Sequence, residues 1–333
     1  MSLQSSKIGD TLSSIGFTPL DKCWICKDSR LTRIHQDKIA LSQFSEEDPE
    51  LSAYTGSRFW LVRCLECDFI QPEAVPTLPN YFDRMYDQQW SEEWMEHEFN
   101  SKYKDFIFGR VLDELSRRVG ARERNLLDIG AHVGRLIYLA REAGWQAEGV
   151  ELNSRTSSYA ARKTKLPVHR ANAQSLIAEG RRYDAITMID VLEHIPDPVE
   201  MLAQVHGLLD AQGWIAVKVP CGRNQLVKEQ IRSRLRGDGD VSIAANLVHI
   251  NHFSPTSLRL ALERAGFASI KLSIGAPELP EVAASARAVG SNAFRLSVYY
   301  LGQMIPGGIH TPLALNLQAY AQKGASKSVT IPQ

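Results

Sequence analysis

The sequence predicts an α/β protein in which a mainly parallel sheet carries helices on both faces and follows a small cysteine-containing module. Three observations support this prediction. Strand-like and helix-like segments alternate from residue 125 to about residue 274, as in successive βαβ units. The run NLLDIGAHVGRLIYLAREAG has the pattern of a strand, a glycine-containing turn and a helix. Two CxxC pairs occur within the first 78 residues.

Length and composition fit a globular protein with one large domain and one or two small ones. Hydrophobic residues make up 44% of the 333 residues, enough for a substantial core. The 38 basic and 38 acidic residues cancel, which argues against a large electrostatic surface for nucleic acid or anionic membranes. The N-terminus does not resemble a secretory signal, and no apolar stretch reaches the roughly 20 residues that span a bilayer. We therefore expect a cytoplasmic protein without a membrane partner.

The cysteine spacing predicts a structural zinc site. Each CxxC pair offers two thiolates, and two pairs suit a tetrahedral ion with Zn–S distances of about 2.3 Å. The run RFWLVR before the second pair predicts a strand, as in a zinc ribbon, and residues 27–54 must form an excursion between the pairs. Four buried or redox-active thiols are the alternative, and Cys221 is expected to be a lone buried thiol. The predicted zinc ligands are Cys23, Cys26, Cys64 and Cys67.

Composition shifts along the chain predict three regions. The proline-containing segment QPEAVPTLPN ends the zinc-binding module, which we assign to residues 1–78. Residues 79–120 are expected to form a helical linker or lid, with Gly120 as the stop of its last helix. Residues 121–333 form the main domain, whose tail (275–333) supplies a lid helix and a last antiparallel strand. One face of the tail helix suits packing, a substrate lid or a dimer surface, so an oligomer is possible; it comprises Phe294, Val298, Leu301 and Ile305.

The strand, turn and helix at residues 125–144 predict a ligand cradle. Backbone N–H groups at a helix N-terminus point at whatever lies above them, and Gly130 and Gly134 permit the tight turn. Glu151 lies 23 residues beyond Asp128, at the end of the next predicted strand (146–150). An acidic residue in that place is suited to accept both hydroxyls of a ribose.

The spacing D-x-G-x-x-x-G departs from the GxGxxG pattern that lets a pyrophosphate approach the backbone. It resembles the first motif of class I S-adenosylmethionine-dependent methyltransferases. RRYDAITMIDVLEHIPDPVEML, LLDAQGWIAVKVP and HINHFSPTSLRLALERAGF resemble, in order, later segments of small-molecule and sugar methyltransferases. Several of these enzymes begin with a similar module of paired cysteines. The resemblance covers about residues 125–275 and implies a Rossmann-like, seven-stranded methyltransferase sheet.

The resemblance also implies S-adenosylmethionine as the cofactor and gives a role to each matching position. The first turn would lie beneath the methionine part, and the acidic residue after the second strand would bind the ribose. Residues after the third strand would lie near the adenine. Residues that end the fourth strand would lie beside the sulfonium. Taken singly, Asp128 also suits a turn cap and Glu151 a solvated strand end. The implied cofactor contacts are Asp128, Gly130, His132, Gly134, Glu151, Asn172, Ala173, Asp190 and Val191.

His132 departs from the family, in which glycine is usual at that position. We expect either that it tolerates an unusual backbone angle or that it contacts the carboxylate of the cofactor.

Methyl transfer requires alignment of the acceptor and removal of its proton, and three histidines are suited to that work. His194 follows the fourth strand, and His249 and His252 lie in a segment that the family folds over the substrate. We expect His194 to be the base, followed by His252, with loop packing as the alternative for each. The D-x-x-E-H spacing of Asp190, Glu193 and His194 resembles the metal-binding cluster of some quinone and small-RNA methyltransferases, which is completed by a later histidine. A divalent metal is therefore left open as a second interpretation.

The leading hypothesis is methyl transfer to a small molecule such as a sugar or another hydroxylated metabolite. An RNA methyltransferase is the first alternative, since the basic segment KEQIRSRLR offers contacts to phosphates, although the neutral net charge argues against it. A zinc-containing interaction protein with a degenerate methyltransferase fold is the second.

Overall fold

The computed structural model describes residues 15–86, 90–120, 124–171, 173–237, 241–244, 246–281 and 286–324. Its N-terminal region contains strands β1 (Phe17–Pro19), β2 (Leu31–Lys38), β3 (Arg58–Cys64), β4 (Ile70–Pro72) and β5 (Ala74–Pro76), and helices α1 (Pro49–Ser52) and α2 (Tyr81–Tyr86). β2, β3 and β4 form an antiparallel sheet in that order, and β1 pairs antiparallel with β5.

β3 is the centre of this small module. Its alternating pattern buries Phe59 and Leu61 against Leu51 and Tyr54, which come from the segment between the cysteine pairs. That segment is not irregular, as a simple excursion would be, because it contains β2 and α1. The strand predicted from RFWLVR is confirmed, and it delivers Cys64 directly into the second cysteine pair.

The region between the module and the main sheet forms helices α3 (Glu92–Asn100) and α4 (Asp105–Val119). The chain interrupts the helical pattern at Lys102, whose φ of 54° lies in the left-handed region. Ser91 caps α3, since its hydroxyl accepts a hydrogen bond from the Trp94 N–H, and Gly120 ends α4 as predicted. The interruption brings Lys104 to the start of α4, where it faces the main sheet.

The main sheet has seven strands, as predicted. They are β6 (Asn125–Ile129), β7 (Gln146–Val150), β8 (Val168–His169), β9 (Tyr183–Ile189), β10 (Leu209–Pro220), β11 (Phe267–Ile274) and β12 (Asn316–Lys323). In the order β11-β12-β10-β9-β6-β7-β8, the five strands from β10 to β8 are mutually parallel, and β12 runs antiparallel to both β10 and β11. The last strand predicted from the tail is therefore confirmed.

Helices cover both faces of this sheet, which explains why β9 is buried along its whole length. The helices are α5 (Arg135–Glu142), α6 (Ser154–Thr164), α7 (Ala173–Ala178), α8 (Pro198–Leu208), α9 (Gly222–Arg236), α10 (Pro255–Arg264) and α11 (Ala286–Met304). One apolar cluster is shared by the strands with α7, α8 and α10, and another, on the opposite face, with α4, α5 and α11.

The ends of α10 agree with the sequence prediction. Ser254 is its N-cap, Pro255 occupies its first turn, and Gly266 follows its C-terminus with a φ of 95°. The hydroxyl of Ser257 accepts from the Ser254 N–H in return, which completes a capping box.

The face predicted for the tail helix α11 is not packed on this chain. Phe294 and Leu301 are 70% and 53% exposed, whereas Tyr299 enters the core. None of the helices that the structure describes combines the length and apolar character needed to cross a bilayer. The region boundaries at residues 78 and 120 stay a prediction.

We predict that Gly134→Ala lowers the free energy of unfolding by about 2–5 kcal/mol, from a left-handed backbone and overpacking together. A Cβ at Gly134 would lie 2.9 Å from Thr164 Cγ2 and 3.0 Å from Ala160 Cβ on α6. Gly237 is a matched control, because its φ of 72° is similar but an added Cβ meets nothing within 4 Å. Gly237→Ala should therefore cost only about 1–2 kcal/mol. Urea unfolding of both variants measures the difference, and equal losses would contradict the packing argument.

Candidate active site

A cavity of about 1900 Å³ opens at the carboxyl ends of the central strands. In a doubly wound parallel sheet this edge is where ligands bind, because the loops diverge around the central strands. Its wall includes the ends of β6, β7, β9 and β10. Of the predicted site residues it contains Asp128, Gly130, His132, Glu151, Ala173, Asp190, Val191, His194, His249 and His252.

The turn after β6 is compact because two N–H groups, those of Gly130 and Ala131, donate to the same carbonyl of Val150, each at 2.9 Å. A Cβ at Gly130, where φ is 77°, would lie 2.5 Å from Val191 Cγ2. Asp128 is buried beneath the turn and accepts a hydrogen bond of 2.6 Å from the Thr187 hydroxyl. Burial raises the pKa of Asp128 to about 7.

Gly134 does not line the cavity; it packs against α6 instead. Asn172, which we predicted to lie near the adenine, falls outside the described residues, whereas its neighbour Ala173 begins α7 and lines the cavity.

Glu151 is oriented by two backbone donors. Its Oε2 accepts from the His132 N–H at 2.8 Å, and its Oε1 accepts from the Asn153 N–H at 2.9 Å. An ionised carboxylate has about four lone-pair sites, so each oxygen keeps capacity for one more donor. The carboxylate is thus fixed at the cavity wall with two acceptor positions left for hydroxyl groups.

His132 adopts the unusual backbone angle that was one of our two expectations, with a φ of 50°. Its ring meets the edge of Trp94 at 5.4 Å, and Trp94 stacks on Trp90 at 4.1 Å between ring centroids. Burial lowers the pKa of His132, so the ring is neutral near pH 7. The turn is therefore flanked by a pair of stacked tryptophans, one in the first turn of α3 and one just before that helix.

Two lysines hold Asp190 at the end of β9. Lys218 Nζ and Lys104 Nζ bond its two carboxylate oxygens at 2.5 and 2.9 Å. Burial alone would raise the pKa of Asp190, but the adjacent Lys218 and Lys104 ammonium groups hold it well below its usual range. The backbone at Asp190 is left-handed, with a φ of 57°, so this network also stabilises a strained turn.

Beyond that turn, Glu193, His194 and His249 form a cluster in which one ligand atom of each lies within 4.8 Å of the others. His194 Nδ1 donates to the Val248 carbonyl at 2.8 Å, which leaves its Nε2 as the acceptor nitrogen, 4.0 Å from Glu193 Oε1. Burial, and then the neighbouring His249 ring, lower the pKa of His194 to about 4. Burial and the nearby Asp190 carboxylate raise the pKa of Glu193 to about 8.

His252 lies deeper than the other two histidines and is only 4% exposed. Among the described residues, its Nε2, Asn251 Oδ1 and Glu193 Oε2 are buried atoms without a hydrogen-bond partner, and all three residues line the cavity. Buried polar atoms normally have partners, so these three point to a polar ligand on this side of the cavity.

The structure brings together only part of the residues of the D-x-x-E-H metal interpretation. Glu193 and His194 come together with a later histidine, His249. Asp190 is not part of this group, and its two oxygens bond the ammonium groups of Lys104 and Lys218.

The four predicted zinc ligands are brought together as expected. Cys23 Sγ lies 3.5 Å from Cys67 Sγ, Cys26 Sγ lies 3.4 Å from Cys64 Sγ, and all four sulfurs lie within 4.8 Å of one another. Cys221 is buried as a free thiol after β10.

Sequence reasoning missed Lys104 and Lys218 in this site. Lys218 stands in the apolar run WIAVKVP, and a lysine in a buried strand requires a partner, which was an available signal. Lys104 gives no such signal, because it approaches Asp190 only through the interruption between α3 and α4.

The family described as "Methyltransferase domain" matches residues 99–272, a little over half of the chain. Two curated proteins with similar sequences are each named ubiquinone biosynthesis O-methyltransferase. The one from Nitrosospira multiformis is 27% identical over 35% of this chain and 52% of its own length. The one from Aromatoleum aromaticum is 28% identical over 31% of this chain and 47% of its own length. The chain thus spans about half the length of these relatives.

Among solved structures, the chain is similar to a SAM-dependent methyltransferase from Archaeoglobus fulgidus. The TM-score is 0.45 and the identity 17%, and the alignment covers 70% of this chain and all of the other.

Proposed function

The chain belongs to the methyltransferase domain family, and we propose that it transfers a methyl group from S-adenosylmethionine to an oxygen of a small hydroxylated molecule. The observation that carries the proposal is the pairing, in one cavity, of a hydroxyl-accepting carboxylate at Glu151 with a cluster of neutral histidines around His194. The Glu151 carboxylate suits the ribose hydroxyls of a nucleoside. A neutral histidine suits removal of the proton from a hydroxyl group of the acceptor. An acceptor screen followed by mass spectrometry tests it directly.

The cofactor half of the cavity lies at the ends of β6 and β7. We propose that Asp128 and Gly130 lie under the methionine part, and that Glu151 binds the ribose through its two remaining acceptor positions. Ala173 would lie near the adenine, with Asp190 and Val191 near the sulfonium. The bound cofactor would supply a methyl group already activated by the positive sulfur.

The acceptor half is bounded by the histidine segment and by Tyr86, whose ring meets His194 at 5.3 Å. Three buried polar atoms without partners favour a hydroxylated acceptor over an apolar one. Two curated relatives are named O-methyltransferases, which agrees with an oxygen acceptor. A sugar or another hydroxylated metabolite therefore remains our proposal for the acceptor class.

We propose His194 Nε2 as the proton acceptor. Because Nδ1–H is committed to the Val248 carbonyl, the lone pair lies on Nε2, and the depressed pKa keeps the ring unprotonated at neutral pH. As the acceptor oxygen bonds to the methyl carbon, its proton would pass to Nε2 and the carbon–sulfur bond would break. The same low pKa makes the ring a weak base, so the step depends on close alignment.

We also propose that the four cysteines hold a structural zinc ion. Tetrahedral coordination at about 2.3 Å requires sulfur separations of about 3.8 Å. Two of the sulfur separations are 3.4 and 3.5 Å and all of them are within 4.8 Å, a range that includes that value. The ion would close the module, since all four positions are taken by protein thiolates.

An RNA acceptor remains the alternative, because α9 carries the basic segment predicted to contact phosphates. RNA binding would weaken steeply with added salt, and salt-dependent binding together with methylated RNA would replace a small-molecule acceptor. A protein that binds neither S-adenosylmethionine nor its demethylated product would instead support the degenerate, non-catalytic alternative.

We predict that Glu151→Ala weakens cofactor binding by about 1.5–3 kcal/mol, because it removes hydrogen bonds to a charged acceptor. Calorimetry with S-adenosylhomocysteine measures the change. Glu148→Ala is the control from β7, the strand that ends directly before Glu151, because the Glu148 carboxylate bonds His169, Arg181 and Tyr183. Unchanged affinity in folded Glu151→Ala would remove the ribose assignment.

We predict one zinc ion per chain in reduced, freshly purified protein. Cys64→Ser should lose the metal, because it removes one of the four thiolates, whereas Cys221→Ser should retain it. Elemental analysis by mass spectrometry decides this, and wild-type protein without zinc would refute the metal site.

We predict that His194→Ala lowers turnover by about 10²–10⁴-fold, the range for general base catalysis, while the affinity for S-adenosylhomocysteine stays nearly constant. The turnover of His252→Ala, measured in parallel, compares the contribution of His252, the second candidate for the base, with that of His194. Full turnover in His194→Ala would exclude it as the base.

Divalent metal binding at Glu193, His194 and His249 is the remaining alternative for this cluster. Titration with Mg²⁺ and Mn²⁺ tests it: saturable binding that both Glu193→Gln and His194→Ala abolish would assign His194 as a ligand instead of the base.

A further inference from the structure

A backbone hydrogen-bond ladder joins the cysteine module to the histidine segment. Ile70 of β4 and His252 exchange both N–H···O bonds, at 3.1 and 2.9 Å. On the next residue, the Phe253 carbonyl accepts from the Gly222 N–H at 2.9 Å, beside a parallel bridge between Phe253 and Cys221. Residues 252–253 therefore connect the sheet of the module to the end of β10.

Side chains reinforce this ladder next to the cysteines themselves. The Ser254 hydroxyl, which is buried, donates to the Cys67 carbonyl at 3.1 Å. The rings of Phe69 and Phe253 pack with their centroids 5.1 Å apart, and both are fully buried. Three of the four cysteines belong to the same buried cluster as Phe253 and the central strands. Any displacement of Cys67 must therefore be met by movement in residues 252–254.

His252 has little freedom to compensate for such a displacement. A Cβ at Gly222 would lie only 2.3 Å from His252 Cβ, so the two backbones are already as close as glycine permits. The adjacent Asn251 and Ile250 are tied to the active site, because both of their N–H groups donate to the Glu193 carbonyl at 2.9 Å.

The cofactor half is held by bonds of its own. Gly130 and Ala131 are fixed by the Val150 carbonyl, and Glu151 by the His132 and Asn153 N–H groups. These contacts are local to β6 and β7 and involve neither the cysteines nor the ladder.

We propose that the four-cysteine module is a positioning element for the acceptor half of the active site. When metal closes the cluster, Cys67 and Ile70 fix residues 249–254 and thereby align His249 and His252 with the acceptor. This role rests on the methyl transfer proposed above and extends it, since it makes acceptor alignment, but not cofactor binding, depend on the cysteine cluster.

The first experiment compares the full chain before and after zinc is removed by a chelator and then restored. Amide hydrogen exchange in residues 249–254 should accelerate by at least about tenfold, as local opening frees these bonds, while β6 and β7 keep their protection. Affinity for S-adenosylhomocysteine should change by less than about threefold, since its contacts are local. Unchanged exchange in residues 249–254, or lost protection throughout the main sheet, would overturn the proposal.

A second experiment uses zinc-loaded variants, so that loss of the metal cannot confuse the result. Ser254→Ala removes the bond to Cys67, and Ser257→Ala weakens the same helix cap but leaves that bond in place. Exchange in residues 249–253 should rise by about fivefold or more in Ser254→Ala, the effect of about one hydrogen bond, and much less in Ser257→Ala, whose direct effect is to free the Ser254 N–H. Ser254→Thr, which keeps a hydroxyl donor, should restore it; equal effects in the two alanine variants would overturn the proposal.

Measurements of turnover distinguish a failure of this proposal from a failure of the proposed methyl transfer. With an acceptor in hand, Ser254→Ala should lower kcat while cofactor affinity stays constant, and Ser254→Thr should recover it. If no acceptor is methylated by the intact protein, methyl transfer fails, yet the exchange experiments still decide whether the cysteine cluster controls residues 249–254.

Discussion

The ion network of Asp190, Lys104 and Lys218 constrains the centre of this structure. Lys218 is 3% exposed at the side chain, and a buried ammonium group without a partner would destabilise the fold by several kcal/mol. The network therefore requires that β9 and β10 end in register and that α4 begin beside them. The turn that carries Glu193 and His194 into the cavity starts directly from this fixed carboxylate.

The two halves of the cavity offer different kinds of interaction to a ligand. Backbone donors and a fixed carboxylate surround the ends of β6 and β7, whereas neutral rings and polar atoms without partners surround residues 249–252. Burial is the cause of both neutral states in the second half, since it lowers the pKa of His194 and raises that of Glu193. That half of the cavity therefore suits an uncharged polar molecule.

Much of this arrangement was predictable because the signals are local. The strand, glycine turn and helix after residue 125, the caps of α10 and the paired cysteines depend on residues close together in the sequence. The missed features depend on distant partners. Lys104 meets Asp190 across 86 positions, and the contact of Ile70 with His252 joins two regions that sequence reasoning treated separately.

Helix α11, in the tail of the chain, also shows what local sequence patterns cannot predict. The apolar spacing in α11 predicted a helix correctly, but spacing alone does not tell which face meets the core. Tyr299 is buried and Phe294 is exposed, although both fall within the same apolar stretch. Glu193 was noticed only as part of a metal pattern, since its unsatisfied oxygen becomes visible only when burial is known.

The position of β12 has a consequence for how the chain reaches its native state. This strand is inserted between β10 and β11, yet it follows both of them in the sequence. During synthesis, β11 cannot take its place in the sheet until residues 316–323 have left the ribosome, and until then β10 presents an unpaired edge. Such edges invite pairing with other chains. The sheet is thus completed only when β12 has been inserted, and the edge of β10 stays open to such pairing until that strand arrives.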